Sequence, residues 1–383
     1  MKRDAFIFVF SAFVIWRVTL FIIVFFGVKF VPLQNDFLGG GITEYIKNPY
    51  LWSWFNFDGE HYLSIIREGY RPLTYFFFPG FPLLIKYIAG LFVGSMYSYA
   101  VLGLTISNAI FFVALIGFWK LITMDYDEKI AKIAVVLLLV FPTSFYFASF
   151  YSEALFLAAV VWSMYFVRRG YFAFSGILGG LSSLTRVVGV SIFPSLLLES
   201  LFPNGKFKKI KITPKLIYIF LTPLGLLLYM YYLWRVTGDP LNFLHTVGIF
   251  GDQRSSSFVM LPQVFYRYIL KIIPNLNINY FPSLFTTFME FFVSLLFLVV
   301  SILSFYKLRL SYSVYILLGY LIPTLSGSFS SIPRYVVVLF PGFILASLWI
   351  RNKSVFVKTL VYGLSSICLI ISTAMFVRGY WIS

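Results

Sequence analysis

The chain has 383 residues, of which 60% are hydrophobic and 11% charged, and 30 Lys and Arg against 14 Asp and Glu give a net charge of +16. A soluble domain carries about 25% charged residues, so an ordinary soluble enzyme is excluded. The continuous apolar runs, many near the ~20 residues that cross a bilayer as a helix, indicate an all-α polytopic membrane protein. A transmembrane barrel would instead alternate in segments of about ten residues. The single cysteine, Cys368, excludes an internal disulfide and a thiolate metal cluster.

In chain order, the first run, Ala5–Val28, is too long for a signal-peptide core and lacks a small-residue cleavage site, so it reads as a retained span. Further spans are expected at Ser98–Trp119, Ile130–Ala148, Ser152–Val167, Phe172–Val187, Val188–Leu201, Pro214–Trp234, Pro282–Tyr306, Tyr312–Gly327, Arg334–Ile350 and Val355–Val377. That makes about 11 spans in one integral domain over residues 1–383. Two long loops stand out, 29–97 and 235–281. With the N-terminus in the cytoplasm, the inner loops carry seventeen of the thirty Lys and Arg but only four of the fourteen acids. This asymmetry is the positive-inside pattern. It accounts for the basic charge with the lipid bilayer as partner and without nucleic acid. The apolar segment Phe76–Gly94 could span, but counting it would reverse the later basic loops. It is therefore expected to lie at the outer interface, with Pro79 and Pro82 near its start.

The loop 29–97 contains "WFNFDGEHY", Trp54 to Tyr62, a cluster of charge in a chain that otherwise avoids it. Asp58 precedes a helix-like run. It reads either as an N-cap, accepting a first-turn N–H, or as a general base for a hydroxyl at the membrane surface. His61, one turn on, is suited to donate to a phosphate or a sugar, and no second clustered His or Cys suggests zinc. Tyr62 and Trp54 form an aromatic belt or stack on sugar rings. Glu153, in "FPTSFYFASFYSEALF", falls at a span end, where an acid is costly unless paired or wet; it either binds a substrate hydroxyl or faces water. Arg186, in "GGLSSLTRVVGV", and Arg334, in "SGSFSSIPRYVVVLFPG", sit at outer span ends beside small or hydroxyl residues. A guanidinium there offers a planar fork for phosphate or pairs with backbone carbonyls at a helix break. Arg17 lies mid-span and needs a partner. The D-x-D triplet in "MDYDEK" reads as a solvated charge run rather than a metal site, and no nucleotide-binding glycine motif supports a primary pump.

The blocks "NFDGEHYLSIIREGY…FFFPGFPLLIKYIAG", followed in order by "FPTSFYFASFYSEALF", "GGLSSLTRVVGV", "GDPLNFLHT" and "IPRYVVVLFPGFILA", resemble the PIG-V type mannosyltransferases over nearly the whole chain. The first block supplies the family's aromatic-Asp-Gly-x-x-Tyr motif, with Phe57 where the family usually has Trp. The resemblance implies a GT-C-like helical bundle with interfacial helices in the first outer loop. It also implies a polyprenyl-phosphate sugar donor, mannose transfer to a glycan or glycolipid acceptor on the outer face, and Asp58 as the base. Arg186, Arg334 and His61 are then candidates for the donor phosphate, and Glu153, Tyr62 and Trp54 for sugar or acceptor. No cofactor beyond the donor substrate and no metal are expected. The alternatives are a transporter or flippase for a lipid-linked sugar, or a non-catalytic membrane subunit; a membrane partner subunit stays open.

Overall fold

The computed structural model describes residues 1–92, 95–205, 210–246 and 258–382, and every element in them is helical. The first helix, α1 (Arg3–Phe30), covers the first expected span and is long and apolar enough to cross a membrane. The chain then forms α2 (Gly41–Lys47), α3 (Pro49–Trp52), α4 (Asp58–Glu68) and α5 (Gly80–Gly90) before returning through α6 (Met96–Ile122). Helix α5 has 11 residues, roughly 16 Å at 1.5 Å per residue. That is about half of the ~30 Å hydrocarbon core, so α5 is too short to cross. It buries Phe81, Ile85 and Ala89 while Tyr87, Ile88, Leu91 and Phe92 stay exposed. Residues 93–94 of the expected interfacial segment lie outside the described residues.

Helix α7 (Glu128–Leu139) starts at Asp127, whose Oδ1 accepts the Ile130 N–H at 3.0 Å. It stops ahead of Pro142, and a 3-10 turn follows over Ser144–Phe147. The expected span Ile130–Ala148 is thus α-helical only over its first part. Next come α8 (Glu153–Arg168), α9 (Phe172–Thr185), a 3-10 turn Val187–Ser191 and α10 (Ile192–Leu201). A 3-10 segment, Pro214–Leu221, continues into α11 (Leu224–Thr237) with a bend of 42°. Helix α8 is the most enclosed. Small residues let α9 sit close to both neighbours: a Cβ on Gly176 would lie 1.8 Å from the Tyr218 carbonyl oxygen, and Ser163 of α8 donates to the Ser175 carbonyl at 2.7 Å. After α12 (Asn242–His245) and α13 (Leu261–Arg267), the chain closes with α14 (Phe281–Lys307), α15 (Leu310–Thr324), α16 (Ile332–Val336), α17 (Phe340–Ile350) and α18 (Val355–Phe376). Part of the loop 235–281, residues 247–257, lies outside the described residues.

Four described helices (α1, α6, α14 and α18) are long and apolar enough to cross a membrane alone, and the bent pair ending in α11 makes a fifth candidate. The other segments expected to span are shorter helices. The chain is a membrane protein with an all-helical fold; the expected total of about eleven crossings is not met by these helices, since α10 and α17, with 10 and 11 residues, are as short as α5.

The two ends of the bundle carry different charge networks. At the end where α6 turns into α7 and α8 and α10 finish, Arg168 binds both oxygens of Asp125, at 2.5 and 2.6 Å. It also donates to the Tyr312 hydroxyl at 3.0 Å. Arg309 holds Glu199 through two nitrogens, at 2.6 and 3.2 Å, and Ser311 donates to the same carboxylate at 2.5 Å. The D-x-D acids are exposed, as expected of a solvated run, and are also paired. Asp125 belongs to this network, and Asp127 caps α7 and pairs with Arg351 at 2.9 Å.

Candidate active site

The opposite end is built around the residues that lead into Asp58. The Asn56 carbonyl accepts the Gly59 N–H at 3.3 Å, closing a four-residue turn in which Phe57 has φ +57° and ψ −117°. That conformation is the first central position of a type II′ turn, where glycine is usual. A non-glycine residue in so sparse a region costs on the order of 1–3 kcal/mol and persists only when its surroundings fix it. Here they do. Phe57 packs edge-on to Trp381 at 5.1 Å and against Phe376, and its N–H donates to the Phe37 carbonyl at 2.8 Å. The buried Asn56 amide accepts from Gly39 N–H at 3.0 Å and donates to the Phe376 carbonyl at 2.8 Å. Tyr151 donates to the Asn56 carbonyl at 2.7 Å. The approach to Asp58 is thus tied to three separate parts of the chain.

Asp58 is the first residue of α4, preceded by Phe57 at the cap position, and no side-chain cap forms there. The cap reading is corrected: the carboxylate turns away from the helix end, and its Oδ2 accepts from Arg334 Nη1 at 2.6 Å. Arg334, in α16, is nearly enclosed, with its guanidinium 5.5 Å from the Tyr146 ring and 5.8 Å from those of Tyr151 and Tyr335. Its Nε lies 3.5 Å from Glu153 Oε1. Glu153, the first residue of α8, also accepts from Arg186 Nη1, and its buried Oε2 has no hydrogen-bond partner. Arg186 follows the last turn of α9 in extended conformation, φ −155° and ψ 147°, with its guanidinium 4.9 Å from the Tyr335 ring. The start of α5 comes close to the end of α9 at this corner: a Cβ on Gly80 would lie 2.6 Å from Thr185 Oγ1.

Asp58, Arg334, Glu153 and Arg186 therefore form a chain of alternating charge. Asp58, Tyr62, Arg186 and Arg334 open onto a partly open cavity of about 140 Å³, whose other walls include Phe76–Phe78, Phe243 and Ile322. Such a site suits a ligand with an anionic head and an apolar body. Tyr62 donates to Ser152 Oγ at 3.1 Å. His61 stacks on Phe77 at 4.8 Å; burial pushes its imidazole below the ordinary value of 6.5, with Asp58 partly opposing. Burial alone pushes the Glu60 carboxyl up.

Four expected residues thus meet on one cavity. Glu153 stands behind the two arginines rather than on the wall, and Trp54 is 1% exposed beneath Arg17, away from the cavity. Sequence reasoning missed Asn56, Tyr146, Tyr151 and Tyr335. Each lies within a block already singled out, but nothing in its type marks it as a clamp or a platform. Among the described residues, no three His, Cys, Asp or Glu side chains group as a metal site.

The model of the family described as mannosyltransferase (PIG-V) matches residues 11–269. The chain belongs to this family. A comparison with curated proteins finds no match. Among solved structures, the chain is similar to the apo oligosaccharyltransferase of Archaeoglobus fulgidus, with TM-score 0.45 and 14% identity over 97% of this chain and 56% of that one. It is also similar to the oligosaccharyltransferase AglB of the same organism in complex with an inhibitory peptide and a dolichol-phosphate, with TM-score 0.41 and 15% identity over 96% of this chain and 56% of that one. The PIG-V family chain spans about half the length of these structures.

Proposed function

We propose that this family member transfers a hexose, mannose by the family's name, from a polyprenyl-phosphate donor to a glycan or glycolipid hydroxyl, with Asp58 as general base. The observation that carries the reading is the presence of one carboxylate and two arginines on a single cavity with largely apolar walls. The acceptor O–H proton passes to Asp58 as its oxygen bonds to the anomeric carbon. The carbon–phosphate oxygen bond breaks, and the phosphate keeps the electron pair, going from one negative charge to two. Arg186 and Arg334 supply the positive charge that this leaving group needs, in a site already organised before the reaction. Arg334 has a double task. In the empty site it holds Asp58; a bound phosphate competes for its fork and frees the carboxylate toward the acceptor. The excess of Lys and Arg in the loops of the other end supports an outer-face location for this one, with α5 along the membrane surface.

The test is transfer by the purified chain in lipid vesicles, supplied in turn with polyprenyl-phosphate mannose, polyprenyl-phosphate glucose and GDP-mannose, with glycolipid acceptors. Turnover with polyprenyl-phosphate mannose and none with the nucleotide sugar is expected. Turnover with GDP-mannose alone, or with no donor, overturns the reading.

A further inference from the structure

Helix α14, long and apolar enough to cross a membrane, contains one acid, Glu290. It lies roughly 14 Å along the helix from Phe281 at 1.5 Å per residue, and it is 5% exposed. A carboxylate at that depth is costly unless its oxygens are used. Oε2 accepts from the Tyr268 hydroxyl at 2.9 Å, and Oε1 accepts from the Ser331 N–H at 3.3 Å. The two donors come from different parts of the chain. Tyr268 is buried and opens a π-helical turn, Tyr268–Ile272, in the long loop 235–281; such turns are rare and frequent at functional sites. Ser331 stands immediately before α16, with φ +65° and ψ 7°. That left-handed conformation is uncommon for a residue other than glycine and persists only where the surroundings fix it.

We infer that Glu290 is a positioning residue: by holding Ser331 it sets the head of α16, and with it the place of the Arg334 guanidinium on the cavity. The inference rests on the reading of Arg334 as a phosphate ligand. The first turn of α16 is built on Ser331, whose carbonyl accepts the Tyr335 N–H at 3.0 Å. The helix has only five residues, so little of its own hydrogen bonding resists a change at its head. Thr143 steadies the other side, donating to the Pro333 carbonyl at 2.7 Å. Glu290 does not line the cavity, so it acts through Arg334 and not on a ligand. A misplacement of about 1 Å made far from the chemistry can cost about 100-fold in rate, which makes the anchor of a short helix matter.

The full chain in lipid vesicles is compared with Glu290→Ala, Glu290→Gln and Tyr268→Phe by two readouts. Amide exchange over residues 332–337, followed by mass spectrometry, needs no substrate. Titration with a polyprenyl phosphate reads the arginine. Glu290→Ala should speed the exchange and weaken the phosphate by about tenfold, the lower end for a lost charge-assisted contact. In an Arg334→Lys background the alanine change should add no further loss of affinity, whereas in an Arg186→Lys background its loss should persist in full. Glutamine keeps an oxygen for the Ser331 N–H and an N–H for the Tyr268 oxygen, so Glu290→Gln should retain most of the parent's protection and affinity. Tyr268→Phe spares the Ser331 contact and should shift both readouts in the same direction by less, which keeps the test open if the alanine variant folds poorly. Unchanged exchange over 332–337 in the alanine and phenylalanine variants overturns the inference. So does a full further loss in the Arg334→Lys background, or a glutamine variant as impaired as alanine. A parent chain that binds no polyprenyl phosphate overturns the proposed function instead, and the exchange readout still decides whether Glu290 anchors α16.

Discussion

Each end of the bundle has a cluster of two carboxylates and two arginines, Asp58, Glu153, Arg186 and Arg334 at one and Asp125, Glu199, Arg168 and Arg309 at the other, yet the two are built differently. They lie at opposite ends of α8, which begins with Glu153 and finishes with Arg168, roughly 22 Å apart along the helix. In the Asp125 cluster, arginine forks meet carboxylates through two nitrogens, and all four carboxylate oxygens of Asp125 and Glu199 accept hydrogen bonds. In the Asp58 cluster the contacts are single, Glu153 Oε2 accepts nothing, and both arginines border a cavity. A saturated network has nothing left to offer a ligand. An unsaturated one beside an open space keeps donors available. Charge composition is the same in both clusters, so geometry separates structure from chemistry.

The largest effect on stability is expected at the saturated end. Arg168→Ala leaves the exposed Asp125 with Arg309 alone, at 3.5 Å, while buried Glu199 keeps Arg309 and Ser311, so the cost falls below the roughly 3–5 kcal/mol of breaking a fully buried pair. Thermal melting in detergent should show a loss of stability, while turnover per folded molecule stays near the parent value. A loss of turnover without a loss of stability would erase the contrast between the two ends.

Asp58→Asn should produce the reverse pattern. The amide oxygen can still accept from Arg334, so the fall in melting temperature should be smaller than for Arg168→Ala. Transfer should drop by roughly 100-fold or more, the lower range for a general base. Near-normal turnover in this variant would remove the base from the mechanism.

Arg186→Lys and Arg334→Lys sharpen the comparison further. Lysine keeps the charge but lacks the planar fork, and a lost charge-assisted contact costs on the order of 1.5–3 kcal/mol. Donor affinity, measured by titration with a polyprenyl phosphate, should weaken by roughly ten- to a hundredfold in each variant, with acceptor affinity little changed. Unaltered donor affinity in both would place the phosphate elsewhere in the cavity.

The smallest effect concerns His61. Its folded pKa lies below 6.5 because burial disfavours the imidazolium. As pH falls through 6.5, the unfolded chain takes up this proton before the folded one does, so the folded state loses stability below that pH. His61→Gln should flatten the pH dependence of melting between about pH 5 and 6.5. An unchanged profile would assign that dependence to another group.

Much of the site was legible because the chain avoids charge. In an apolar sequence, Asp58, Glu153, Arg186 and Arg334 each stand out where they occur, and all four converge. Their partners did not stand out. Tyr146 and Tyr335 are ordinary members of a chain with 27 tyrosines, and only their position over the Arg334 guanidinium gives them a part. Asp58 shows the limit of local reading most clearly. An acid at the head of a helix is a good cap by propensity, but the strained turn at Phe57 shifts it one position into the helix, where its carboxylate meets Arg334 instead.

The sequence by itself determined that the chain lives in a membrane, which loops are basic, and where polar groups interrupt the spans. Those properties are sums over neighbouring residues, and hydrophobic transfer needs no knowledge of the fold. Tertiary structure alone decided that Asp58 finds Arg334, 276 positions away, that Glu153 backs the two arginines, and that Arg17 meets a tryptophan ring instead of an acid. Ion pairing depends on separations of a few ångströms between residues remote in the chain. No local periodicity encodes such separations, and they exist only once the helices have packed.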